Sequence, residues 1–119
     1  AHLCHLCAQA YLKGMYKFDL QTGTYKDHLW GEEGYFFGGE ASFVPRPGGT
    51  AEDDGYLVVL VNDVRQRRTE LRIYDARSFG DEGCAPLAKI VCPRRVIPLG
   101  THGIFLSEEQ VAKTINDAS

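Results

Sequence analysis

The sequence predicts an all-β fold of short antiparallel strands, and three observations carry that prediction. Apolar residues cluster in runs of strand length, most without helical spacing. Turns rich in Gly, Pro and Asp separate the runs. One stretch alone, near the end, carries a helix start signal. About seven strands joined mostly by hairpin turns, followed by one late helix, point to a sandwich, barrel or propeller.

Composition bounds what such a fold can do. The 119 residues suffice for one small domain, and 44% of them are hydrophobic, which excludes wholesale disorder. The net charge of −3 offers no basic face to nucleic acid. No apolar run approaches the roughly 20 residues that span a bilayer. No leader pattern is visible, and the chain begins with Ala, so processing or a longer parent is expected. Cys4, Cys7, Cys84 and Cys92 are too few and too unevenly spaced for a disulfide scaffold, which suggests a reducing compartment.

The first ten residues hold Cys4 and Cys7 in a C-x-x-C pair interleaved with His2 and His5. Two such thiolates can share a zinc ion, but a complete site needs four ligands and no second pair follows. A chain end or a buried strand with small core cysteines is the plainer reading. Residues 11–20 and 25–30 read as a hairpin about Gln21-Thr22-Gly23-Thr24, with Gly23 at positive φ and Asp19 accepting from turn amides. Residues 31–39 read as a glycine-rich loop, whose Tyr35, Phe36 and Phe37 either cap a sheet or line a groove.

Residues 40–44 form a strand stopped by Pro45 and Pro47. Glu40 at its start is either an exposed acid or a carboxylate that fixes a metal-bound imidazole. Glu52-Asp53-Asp54-Gly55 lacks the alternating ligands of a calcium loop and reads as a turn, with Gly55 left-handed. Residues 56–61 are apolar on both faces and should form a central strand. Arg65, Arg67 and Arg68 then read as a solvated hairpin tip. Residues 70–76 return with Leu71 and Ile73 inward and Arg72 and Tyr74 outward, and residues 86–92 add a strand before Pro93. The run from 96 to 106 is strand-like but broken by Pro98 and Gly100, and it carries His102 before Gly103. An imidazole here is a metal ligand or proton carrier, or else a half-buried side chain donating to a carbonyl. Ser107 and Gln110 form a capping box for a helix to about Asn116.

Four blocks in order spell a family. They are Gly39-Glu40-Ala41-Ser42-Phe43-Val44-Pro45-Arg46-Pro47, Glu52-Asp53-Asp54-Gly55-Tyr56-Leu57, Leu71-Arg72-Ile73-Tyr74-Asp75-Ala76-Arg77 and Pro98-Leu99-Gly100-Thr101-His102-Gly103-Ile104-Phe105. With Lys17-Phe18-Asp19-Leu20 upstream, residues 11–106 resemble the C-terminal end of the carotenoid cleavage oxygenases, which include apocarotenoid and stilbene oxygenases and the vertebrate retinoid isomerase.

The resemblance implies a partial seven-bladed β-propeller, about two blades with a short C-terminal helix. The domain is then residues 1–119 as an incomplete C-terminal portion, with 1–10 unassigned and 107–119 a helical tail. It implies Fe(II) held by four His, oriented in part by Glu, and O2-dependent cleavage of a carbon–carbon double bond in a carotenoid, apocarotenoid or stilbene. His102 resembles the last iron ligand, and Glu40 resembles one of the orienting carboxylates; the other three ligands would lie upstream. His2, His5 and His28 do not sit in ligand contexts. The chain departs from the pattern at Thr101, at Ala41 where Pro is usual, and in the tail after Leu106. By itself such a piece is expected to be inactive. Cytoplasm or plastid would suit the family, with peripheral membrane contact open to the intact protein. The alternative is a non-catalytic propeller piece or interaction module that binds no iron.

Overall fold

A computed structural model describes residues 12–94 and 103–117 of the chain. The described residues form six strands and one helix. β1 (Gly14–Asp19) and β2 (Thr24–Leu29) make an antiparallel hairpin. β3 (Phe36–Pro45), β4 (Gly55–Asp63), β5 (Arg68–Asp75) and β6 (Ala88–Val91) form a four-stranded antiparallel sheet in chain order. α1 (Glu108–Asp117) follows.

The first turn forms as its residues dictate. Gly23 has φ 69°, and Asp19 Oδ1 accepts from the amides of Gln21 (2.9 Å) and Thr22 (3.1 Å). Those two amides hold the Asp19 carboxyl below its usual range. At the other end the capping box is reciprocal. Ser107 N donates to Gln110 Oε1 at 2.8 Å, and Gln110 N donates to Ser107 Oγ at 3.2 Å.

The core lies between the hairpin and one face of the sheet. Val59, Val61, Tyr74, Trp30 and Phe79 are its buried members, with Met15, Phe36, Ala41, Leu57 and Cys84 packed against them. Trp30 follows the hairpin but sits on the sheet. Gly38 makes room for it, since a Cβ there would meet the indole Nε1 at 2.4 Å.

The structure reverses the facing expected for β5. Arg72 and Tyr74 point into the core, with relative exposures of 4% and 0%, while Leu71 and Ile73 are half-buried on the opposite face. The registers explain it: Arg72 lies opposite Val59 and Tyr74 opposite Leu57, so all four share the hairpin side. Arg72 tolerates burial because its Nε donates to Glu70 Oε2 at 2.9 Å and its Nη1 donates to the Trp30 carbonyl. The period-two pattern alone gives alternation but no facing when both faces of a strand carry large side chains.

Other boundaries also shift. β3 begins at Phe36, inside the stretch expected to be loop, because Phe36 and Phe37 pair with Asp63 and Asn62. Gly55 is not left-handed; it opens β4, where a Cβ would strike the Val44 carbonyl at 2.4 Å. β6 keeps four residues of the seven expected, all exposed. Residues 103–106 are not strand. β4 is central as expected, with Val59 and Val61 buried and Val58 and Leu60 half-buried on the other face. The hairpin tip is exposed as expected, and Arg65 is also held in place there: its guanidinium stacks 3.6 Å from the Tyr35 ring centre and pairs with Glu32 at 2.7 Å.

Candidate metal-supporting strand and its surroundings

Glu40 sits on a β-bulge. Gly38 pairs with Val61 and Ala41 with Val59, so Gly39 and Glu40 together oppose Leu60. A bulge bends its strand and redirects a side chain that plain alternation would aim elsewhere. The two glycines before Glu40 are the sequence signal for it. β3 is an edge strand of the sheet, and Glu40 is exposed on it.

Gly103 lies near the same strand. A Cβ at residue 103 would meet Ser42 Oγ at 3.3 Å, two residues along β3 from Glu40. His102 itself lies outside the described residues, as do Cys4, Cys7, His2 and His5. Among the described residues no group of three or more His, Cys, Asp and Glu could hold a metal ion.

His28 faces the aromatic core. Its ring centre lies 5.1 Å from those of Tyr74 and Phe79 and 5.8 Å from that of Trp30. Burial, then the Arg72 charge, pushes its pKa below the ordinary value of 6.5. The acidic turn is structural too. Asp54 accepts from Arg46 Nε and pairs with Arg77 Nη2, both at 3.0 Å. Arg46 reaches on to Asp75 at 3.1 Å and to the Tyr56 hydroxyl at 2.8 Å.

Sequence reasoning missed Lys17. Its Nζ donates to Asp53 Oδ2 (2.7 Å) and to the carbonyls of Ala76 (2.8 Å) and Arg77 (3.0 Å). It thereby ties the hairpin to the ends of β4 and β5, and the Lys-Phe-Asp-Leu block was the available signal. A groove of about 700 Å³ opens beside it, lined by Phe18, Tyr25, Phe43, Asp53 and Arg77 among others. Phe43 and Ser42 are adjacent in β3 and point to opposite faces, so groove and Gly103 contact are separate.

Residues 3–107 match the family model described as retinal pigment epithelial membrane protein. The match covers nearly the whole chain. This chain belongs to the carotenoid cleavage oxygenase family. It is 38% identical over 113 residues to the carotenoid 9,10(9',10')-cleavage dioxygenase of Crocus sativus, covering 84% of this chain and 20% of that protein. It is 38% identical over 99 residues to the apocarotenoid-15,15'-oxygenase of Synechocystis, covering 83% of this chain and 19% of that enzyme. A point mutant of the Synechocystis apocarotenoid oxygenase superposes with a TM-score of 0.70 at 36% identity, over 82% of this chain and 19% of that one. A cobalt-substituted form of the same oxygenase superposes at 0.63 and 36% identity, over 72% of this chain and 17% of that one. The chain thus spans about a fifth of the length of these relatives.

Within this family the architecture acquires its context. The four-stranded sheet and the β1–β2 hairpin correspond to part of a β-propeller. The match to the carotenoid oxygenases ends one residue before α1, so the helix is the part outside the shared pattern.

Proposed function

We propose that this chain is the C-terminal part of a non-haem Fe(II) dioxygenase that cleaves a carbon–carbon double bond of a carotenoid or apocarotenoid. In this reading His102 supplies one of four iron-binding imidazoles, and the other three come from the upstream polypeptide. Glu40 accepts the far ring N–H of a ligating His, which fixes its tautomer and angle. The observation that carries the reading is the meeting of two blocks far apart in sequence. Gly103, covalently next to His102, lies close enough to β3 that a Cβ on it would come within 3.3 Å of Ser42 Oγ, two residues from Glu40 on one edge strand.

The donor chemistry suits the metal. Neutral imidazoles favour divalent iron and leave its charge intact. The carboxylate sits on a bulge, where it is redirected and held by backbone geometry. Bound iron would supply the means of activating O2. The protein's own part is to hold the imidazole at the correct angle and keep its outer nitrogen protonated.

The test uses the intact protein. His102→Ala should lose bound iron, measured by metal analysis, and lose cleavage of an apocarotenoid substrate. Normal iron occupancy in that variant would falsify the ligand assignment. It would favour instead a propeller that binds no iron through this chain.

A further inference from the structure

The bulge that carries Glu40 stands on two feet, Gly38 and Ala41. Gly38 pairs with Val61 and Ala41 with Val59, and both valines are buried in the core. Ala41 packs against that core cluster. Gly38 is buried and held from three directions. Its N–H donates to the Leu12 carbonyl at 2.8 Å, Val61 lies opposite it in β4, and the pyrrole edge of Trp30 covers its open face. A Cβ on Gly38 would come within 2.4 Å of the indole Nε1, so the Cα, one bond further back, is itself in van der Waals contact with that edge. The indole is fixed in turn. Trp30 is 3% exposed, with the ring centres of His28, Tyr74 and Phe79 at 5.8 to 6.3 Å. Its backbone N–H donates to the Lys13 carbonyl at 3.0 Å, and its own carbonyl accepts from Arg72.

We propose that Trp30 is a positioning residue for Glu40: its indole wedges against Gly38, the first foot of the bulge, and so fixes the direction in which the bulge presents the carboxylate. The proposal rests on the reading of Glu40 as the acceptor for a ligating imidazole. Trp30 acts through the backbone of residues 38 to 40, not on metal or substrate. A bulge interrupts the regular ladder, so its geometry depends on how its two ends are pinned. β3 is an edge strand, and among the described residues its open side is bridged only at Leu12. The wedge supplies from the core what a neighbouring strand would supply from the side. Without it the extra residue can migrate along the strand, and a shift of one position turns a side chain to the other face.

Variants of the intact protein test this through iron affinity by chelator competition, hydrogen exchange of the peptide 36–41 in the metal-free protein, and the metal-free thermal melt. Glu40→Gln should weaken iron binding roughly 10 to 100-fold and leave the exchange unchanged. Trp30→Leu should weaken iron binding about 10-fold and lose exchange protection over 36–41. In the Glu40→Gln background Trp30→Leu should cost no further affinity, because the carboxylate through which it acts is gone. Phe79→Leu trims another ring of the same cluster; it should lower the melt as Trp30→Leu does, yet keep both iron affinity and protection. Gly38→Ala, which forces bulge and indole apart, should reproduce both losses even if Trp30→Leu fails to fold. An undiminished loss of affinity from Trp30→Leu in the Glu40→Gln background, or an equal loss from Phe79→Leu, would mean general loosening of the core and would overturn the proposal. Wild-type affinity and protection in both Trp30→Leu and Gly38→Ala would do the same. If Glu40→Gln itself keeps wild-type iron affinity, the orienting role of Glu40 fails, whereas loss there with wild-type affinity in the variants at 30 and 38 sinks only the wedge.

Discussion

His28 packs against Trp30, Tyr74 and Phe79, with Arg72 close enough to oppose its charge. Its folded pKa is lowered, so below pH about 6.5 the unfolded chain takes up a proton that the folded chain resists. Stability should be complete above that pH and fall as the solution is acidified. His28→Phe keeps the ring packing and should flatten the acid side of a plot of melting temperature against pH; an unchanged slope would clear His28 of that role. Glu40 differs in kind, because the role we propose for it is to accept a hydrogen bond from a ligating imidazole. Glu40→Gln should lower cleavage by the intact protein roughly 10 to 100-fold and leave the fold unaltered. A wild-type rate would make Glu40 an ordinary surface acid. Both residues could be read from the sequence to different depths. Glu40 stood out through its motif and its two preceding glycines. The surroundings of His28 come from three segments, and no local pattern announces such a meeting.

Hairpins were the most legible elements, since their turns are written in short runs. Asp19 and Gly23 specify the first turn, and Ser107 with Gln110 specifies the start of α1. The facing of β5 was not legible. Glu70 and Arg72 look like solvent residues, yet they neutralise one another in the core, and Arg68 pairs with Glu70 from the rim at 2.5 Å. Tertiary pairing decided the question, and the two-residue period could not. Lys17 shows the same limit, as its three partners lie 36 to 60 residues away. Lys17→Met keeps the stem and removes the donors, leaving two carbonyls and Asp53 without them. The intact protein should lose about 1–2 kcal/mol in chemical denaturation, at the low side for bonds to a charged group because Asp53 is 43% exposed. A midpoint equal to wild type would show that the hairpin is held by its apolar face alone.

At the level of the whole chain, two apolar surfaces stand out among the described residues. The hairpin turns Tyr16, Phe18 and Tyr25 outward, each about 60% or more exposed, with ring centres 5.5 to 6.2 Å apart. The far face of the sheet carries Val58, Leu60, Leu71 and Ile73, all half-buried, and the exposed Ile90. In a propeller each blade packs against its neighbours, and apolar faces such as these suit burial between blades. The 119-residue chain expressed alone should therefore self-associate, which light scattering would read directly; a stable monomer would mean that both faces are content in water.

Trp30 adds a practical consequence for anyone exchanging blades between relatives. The glycine-rich stretch after it invites a splice, but the indole that fills the next blade would then be left on the donor side. Gly38 would face an empty socket, or worse, a foreign ring with no room to enter. Recombination boundaries belong upstream of residue 30, so that the plug travels with its hole.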